Sequence, residues 1–319
     1  MKKTFIQLPA DEGPHNQSVE WWYWVARLND KNSHDYATMF TLFKVRLFGN
    51  KNAFFSHWFV SNINTQTFDP HFHVFWKGLD KESFKRPKLF ARAKDVMLME
   101  KMKDDNYRIR TNGLDLTMRP VKPPLLIDGT GDVDLKTTRT FYYSLPRLEC
   151  KGKININEKD FGVSGLAWMD HQWSPITFDR EHVWKWFCFQ LADGTDLQCF
   201  DYGKSRHARL ATISKADGEV RVFKKVDFKQ TGEYWTSSKS GAAYPVSWKI
   251  NIPEGKMTLE CKPAIKNQEL LHGPFRYWEG PINVQAIING KRIWGKGFME
   301  LNGIPSGKTL FQMIREQFK

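Results

Sequence analysis

Ile282-Asn-Val-Gln-Ala-Ile-Ile-Asn289-Gly290-Lys-Arg-Ile-Trp-Gly-Lys-Gly-Phe298 decides the fold class. Asn-Gly supplies two residues that tolerate positive φ, and apolar residues alternate on both sides of it. That is the strongest short-range signal for a two-residue β-hairpin. The same arrangement recurs at Asn112-Gly113, Asp193-Gly194 and Asp217-Gly218. Between these turns the hydrophobic period is two rather than 3.6. No strand–helix–strand alternation accompanies them, so a parallel sheet is not expected. One short C-terminal helix is expected within 310–318, with Phe311, Ile314 and Phe318 on one face. The chain reads as all-β and antiparallel, of the barrel or sandwich kind.

Its 319 residues suffice for two domains. Ser174-Pro175-Ile-Thr-Phe-Asp-Arg-Glu-His182 interrupts the strand pattern, and a fresh series of hairpins follows. The expected boundary lies near 178, giving β domains of residues 1–178 and 179–319. Lys and Arg number 48 against 35 Asp and Glu, a net charge of +13. They are scattered, with no basic run of five, which argues against nucleic acid. A solvated surface accounts for such a charge, and loose peripheral contact with an anionic membrane is the next reading. No apolar run reaches the roughly 18 residues of a spanning helix. The basic start Met1-Lys-Lys breaks at Gln7 and Pro9 before a signal-peptide core forms, so a cytoplasmic location is expected.

Four cysteines (150, 188, 199 and 261) include no Cys-x-x-Cys. A two-residue turn at Asp193-Gly194 sets Cys188 opposite Cys199 at a hydrogen-bonded pair, about 5.5 Å between Cα atoms, and reduced thiols are expected there. Gly303-Ile-Pro-Ser-Gly307-Lys308-Thr309 is one residue short of a phosphate-binding loop and lacks a parallel sheet around it. His71 and His73 share a strand face, with His57 as a conceivable third ligand. No fourth ligand spacing stands out, and neither metal nor cofactor is expected.

Aromatic residues make 14% of the chain, and acids are set among them. Glu20 precedes Trp21-Trp22-Tyr23, Asp170 and His171 fall on opposite faces of Trp168-Met-Asp-His-Gln-Trp173, and Tyr277-Trp-Glu279 places a carboxylate between rings. With no bulge in the Asp193-Gly194 hairpin, Asp201 lies opposite Trp186 on an aromatic face. Burial there disfavours the carboxylate and keeps the acid a proton donor near neutrality. Each such acid could equally cap an indole N–H or an arginine in the core.

Taken together, Glu20-Trp-Trp-Tyr23, Phe55-Ser-His57, Gly165-x-x-Trp168-x-Asp170-His171-Gln172-Trp173, Tyr277-Trp-Glu279-Gly280 and Gly297-x-x-Glu300-Leu301 resemble the carotenoid 1,2-hydratase (hydroxyneurosporene synthase) family and its AttH-like relatives. The resemblance implies two lipocalin-like β-barrel domains side by side and a hydrophobic ligand. Members of that superfamily hydrate acyclic carotenoid ends, and similar fungal proteins are cyclases of the Diels–Alder type. The hydratase pattern His-x-Trp followed by Tyr-x-Asp matches His171, Trp173 and Asp201, with Cys199 where the tyrosine belongs.

The expected function is therefore that of a cofactor-independent enzyme on an unsaturated hydrophobic small molecule, hydrating an alkene by acid catalysis. Asp201 is the first choice of acid and Asp170 the second, and His171 positions or deprotonates water. Trp22, Trp173 and Trp186 steady the cation. Glu20, His57, Cys199, Tyr277 and Glu279 are the further substrate-binding candidates. The alternatives are a cyclase or isomerase on a similar substrate and a lipid-binding protein without turnover.

Overall fold

The structure, a computed structural model, describes residues 5–46, 51–85, 88–175, 183–232, 234–272 and 275–305. Strands take 63% of the described residues and helix 3%, so the period-two reading holds nearly throughout. The described helix consists of single 3-10 turns such as Ala10–Glu12, Ile127–Gly129 and Pro253–Gly255. The expected C-terminal helix falls outside the described residues. Among these residues no helix is long and apolar enough to cross a membrane.

Two compact units emerge: residues 1–178 with 217–221, and residues 179–216 with 222–319. In the first, the antiparallel order runs Thr67–Val74, Asn52–Asn62, Asp35–Arg46, Val19–Asp30, Lys159–Ser174, Arg139–Ile156, Leu114–Pro120, Tyr107–Thr111, Met97–Lys101 and Phe90–Ala93. A second sheet repeats this plan with Val220–Phe223, Ala208–Ser214, Asp196–Tyr202, Trp184–Leu191, Lys291–Asn302, Phe275–Ile288, Met257–Pro263, Trp248–Ile252 and Asp227–Gln230. In both, a meander's first strand pairs with the last strand of its unit. No residue-level repeat accompanies this shared plan.

Each sheet curls around its own apolar core, as lipocalin-like barrels do. Strand alternation does the sorting. Trp22, Trp24, Ala26 and Leu28 point into the first core with Trp58, Met97, Met99 and Tyr143. Phe187, Phe189, Leu197, Cys199 and Trp278 point into the second. Pro70 lies in the edge strand Thr67–Val74, where a missing N–H blunts pairing with another chain.

The turn at Asn289-Gly290 has positive φ at both residues, 49° and 80°, and closes the two-residue hairpin expected of it. Asp193-Gly194 behaves differently. Only Gly194 has positive φ there, the Asp193 carboxylate accepts the Thr195 N–H at 2.9 Å, and the Leu191 N–H reaches the Thr195 carbonyl. The loop is three residues long, of the type that ends in a left-handed glycine. That extra residue sets Cys188 opposite Gln198 and Cys199 opposite Phe187, so the two thiols do not face each other. All four cysteines are free and buried.

Candidate functional site

Two sequence blocks lie side by side in the first unit. Strands Val19–Asp30 and Lys159–Ser174 pair Glu20 with Trp173, Trp22 with His171, and Tyr23 with Asp170. Alternation turns Glu20, Trp22, His171 and Trp173 into the barrel, and Tyr23 and Asp170 to the other face of the sheet. On the far side of Lys159–Ser174, strand Arg139–Ile156 pairs Tyr143 with His171 and Ser144 with Asp170. That register depends on a bulge between Leu145 and Leu148, at Pro146-Arg147, where proline has no N–H to give the ladder. Without the bulge, Ser144 would oppose His171.

Asp170 is buried on the outward face. Its carboxylate accepts Tyr142 Oη at 2.5 Å, Ser144 Oγ at 2.5 Å and Trp168 Nε1 at 2.7 Å. Burial pushes its pKa up to about 6, and these three hydrogen bonds restrain the rise. All three donors are neutral, which is why desolvation prevails. The same face carries His57, Thr41, Tyr23, Asp170 and Ser144 as one row across successive strands, all buried. Three interstrand steps, about 14 Å in all, separate the His57 and Asp170 positions. His57 sits among Phe43, Phe55 and Phe72 at centroid distances of 5.8, 5.8 and 4.5 Å.

The inward face carries a charged cluster. Glu20 Oε1 meets His15 Nδ1 at 2.7 Å and His171 Nε2 at 2.9 Å, while Lys44 Nζ donates to Oε2 at 2.6 Å and also to the His15 carbonyl. Burial raises the Glu20 pKa, but the hydrogen bonds from both imidazoles, the charge His171 takes on in acid and the charge of Lys44 bring it down to about 2. Burial lowers His171 to about 4 against the pull of Glu20, so His171 is neutral at physiological pH. Aromatic rings surround it: Trp22 stacks at 4.6 Å, Trp173 lies at 4.8 Å, and Tyr143 presents an edge at 5.4 Å. His15 stacks on Trp173 at 3.7 Å. The segment around 5–15 is tied to the barrel by this cluster and by Glu12. The Glu12 carboxylate accepts Tyr107 Oη and Lys101 Nζ, and its carbonyl accepts Trp22 Nε1.

His15, Glu20 and His171 are the one metal-compatible group among the described residues, with ligand atoms within 4.8 Å of one another. The Lys44 ammonium already supplies the positive charge at Glu20, so the set fits a self-contained ion network better than a cation cradle. The His57, His71 and His73 grouping does not form. His57 pairs with Phe72, while Trp58 and Ser56 pair with His71 and His73, which puts His57 on the opposite face.

In the second unit, Trp186, Glu300 and Glu279 lie opposite one another on three adjacent strands, and Tyr277 shares their face. Asp201 and Cys199 are on the other face. The three-residue loop sets Asp201 opposite Lys185, not Trp186, and correcting that register removes the argument for a neutral acid there. Asp201 accepts Lys185 Nζ at 3.0 Å and meets His207 Nδ1 at 2.6 Å, with Arg209 Nε at 3.4 Å. Burial raises its pKa, yet the hydrogen bond and charge of Lys185, the hydrogen bond with His207 and the charge of Arg209 outweigh burial and lower it. Cys199 is a buried thiol raised well above its ordinary range by desolvation. The sequence reading missed Tyr142, Ser144, His15, Lys44 and Glu12; all five are recoverable only once strand register or the path of segment 5–15 is known.

The sequence profile of the AttH-like family matches residues 1–304. Among solved structures, an AttH-assigned protein of Nitrosomonas europaea superposes with a TM-score of 0.84 at 25% identity, over 95% of this chain and 98% of that one. Kievitone hydratase of Nectria haematococca superposes with a TM-score of 0.78 at 17% identity, over 93% of this chain and 92% of that one. No curated protein matches the chain significantly.

Proposed function

The chain belongs to the AttH-like family, and from that premise we propose that it is a hydratase-like enzyme that adds water to an unsaturated, hydrophobic small molecule. One observation carries the reading: Asp170, buried beside Tyr142 and Trp168, holds its proton up to about pH 6. At pH 7 about a tenth of such a group is protonated, enough for a general acid. The kievitone hydratase similar in fold supports the reaction class.

In the acid step Tyr142 Oη gives its proton to the alkene carbon and takes the proton of Asp170. The alkene π pair forms the new C–H bond and leaves a carbocation at the other carbon, which water attacks. The attacking water sheds one proton, which returns the Asp170 carboxylate to its acid form. Ser144 and Trp168 fix the carboxylate while it is charged.

A panel of isoprenoid and polyketide alkenes in ¹⁸O-labelled water tests this. Product carrying one added water with label on carbon, lost in Asp170→Asn, supports the proposal. Product without label points to cyclisation or isomerisation. A tightly bound lipid that is never turned over would mean that Asp170 only ties two strands together.

A further inference from the structure

Trp76 is the most exposed large apolar side chain among the described residues, at 90%. The chain holds it there with a built turn. Gly78 N–H donates to the Phe75 carbonyl at 2.9 Å with Gly78 at φ 75°, and Phe75 N–H donates to the Phe54 carbonyl, which ties the turn to the barrel wall. Trp76 and Lys77 therefore stand at the tip of a fixed turn. Farther along, Phe84 stacks on Trp22 at 4.8 Å and on Phe54 at 5.6 Å, and Phe84 N–H donates to the Phe90 carbonyl. The stretch from Phe75 to Phe84 is anchored at both ends, so its backbone is held in place before any partner arrives.

Its charge is one-sided. The acids Asp80 and Glu82 are engaged by Arg92 and Lys85, each at 2.6 Å. Lys77, Lys81, Lys88 and Lys94 are exposed and have no acidic partner among the described residues. An indole that prefers the water–lipid boundary, followed along the chain by exposed ammonium groups, is the pairing that anionic bilayers attract. Peripheral anchoring combines an apolar insertion with attraction of basic groups to anionic lipid.

We propose that this segment docks the protein on an anionic bilayer. Trp76 enters the headgroup layer, and Lys77, Lys81, Lys88 and Lys94 face the lipid phosphates. The lone insertion of an indole favours a bilayer over a nucleic acid, whose duplex offers no apolar boundary. The docking is independent of which reaction the protein carries out.

Co-sedimentation with vesicles tests it, using phosphatidylcholine alone against the same lipid with about 30% phosphatidylglycerol at about 0.1 M salt. Binding is expected only to the anionic vesicles, weakening at higher salt. Trp76→Ser and the joint change Lys77→Glu with Lys81→Glu should each weaken it tenfold or more at unchanged melting temperature, while Tyr234→Ser, an exposed aromatic elsewhere, should not. Equal binding to neutral vesicles, no binding to either, loss with Trp294→Ser but not Trp76→Ser, or tighter binding to duplex DNA than to vesicles would each overturn the proposal.

Discussion

Asp170 and Glu20 occupy opposite faces of the same pair of strands, both buried, and titrate in opposite directions. Asp170 rises to about 6 and Glu20 falls to about 2. Burial raises both. The difference lies in the donors: a phenol, a hydroxyl and an indole around Asp170, a lysine and two imidazoles around Glu20. Neutral donors satisfy an anion without replacing the solvation it has lost, whereas an ammonium at 2.6 Å does replace it. One sheet thus holds an acid that can still take up a proton near neutrality on one face and one that stays charged on the other.

The largest effect should come from the outward face. Asp170→Asn keeps size and hydrogen-bonding capacity but has no proton to transfer. Turnover of a confirmed substrate should fall ~10²–10⁴-fold, and in the wild type kcat/KM should decline as pH rises past about 6. The inward face should answer through stability instead. Glu20→Gln leaves Lys44 buried without its counter-ion, at a cost of about 3–5 kcal/mol, readable by urea titration. Glu20→Gln combined with Lys44→Met should recover most of that loss. If Glu20→Gln alone is as stable as the wild type, the network is not what holds segment 5–15 to the barrel.

Acid stability offers a sharper test, because consecutive residues work against each other. The folded pKa of His171 lies below its ordinary 6.5, so its contribution is present above 6.5 and is lost as pH falls toward about 4. The folded pKa of Asp170 lies above its ordinary 3.8, so its contribution is full below 3.8 and is lost as pH rises through about 6. Each spans about 3 kcal/mol, and between pH 6 and 4 they nearly cancel. Wild-type stability should therefore change little between pH 6 and about 4.5 and fall below that, as Glu20 starts to protonate in the unfolded chain. Asp170→Asn removes only the opposing contribution. Its stability should decline steeply between pH 6.5 and 4, and a parallel pair of curves would refute the raised pKa of Asp170.

The fold was legible because hairpin chemistry and period two are local. Glu20, Trp22, His171 and Trp173 were legible as a set because two aromatic-acid blocks stand out by composition, and the structure brings them together. What the sequence could not convey was register. At Pro146-Arg147 one extra residue carries Ser144 and Tyr142 onto the Asp170 face, and at Ala192-Asp193-Gly194 one extra residue carries Asp201 away from Trp186. Both follow from single residues (a proline with no N–H, an aspartate that captures Thr195), but each competes with an equally reasonable unbulged pairing. His15 and Glu12 were hidden for another reason: they reach the barrel from segment 5–15, which has no periodicity to read.

The smallest effect should come from the second unit, which carries the same device less tightly sealed. There the carboxylate and lysine exchange places: Lys185 on the unit's first strand faces Asp201 on its second, as Glu20 faces Lys44 in the first unit. The lysines differ in access, Lys44 being 3% exposed and Lys185 23%, and the other partners of Asp201, His207 and Arg209, are 40% and 39% exposed. When Asp201 is replaced by Asn, those side chains can turn to water. The cost should be about 1 kcal/mol or less, in the range of solvent-accessible ion pairs. Turnover should stay within about twofold, because a carboxylate held charged by cations offers no proton at neutral pH. Kinetics of Asp201→Asn beside Asp170→Asn on one substrate decide the matter. If Asp201→Asn abolishes turnover and Asp170→Asn leaves it intact, the acid belongs to the second unit, and the contrast between neutral and cationic donors does not locate it.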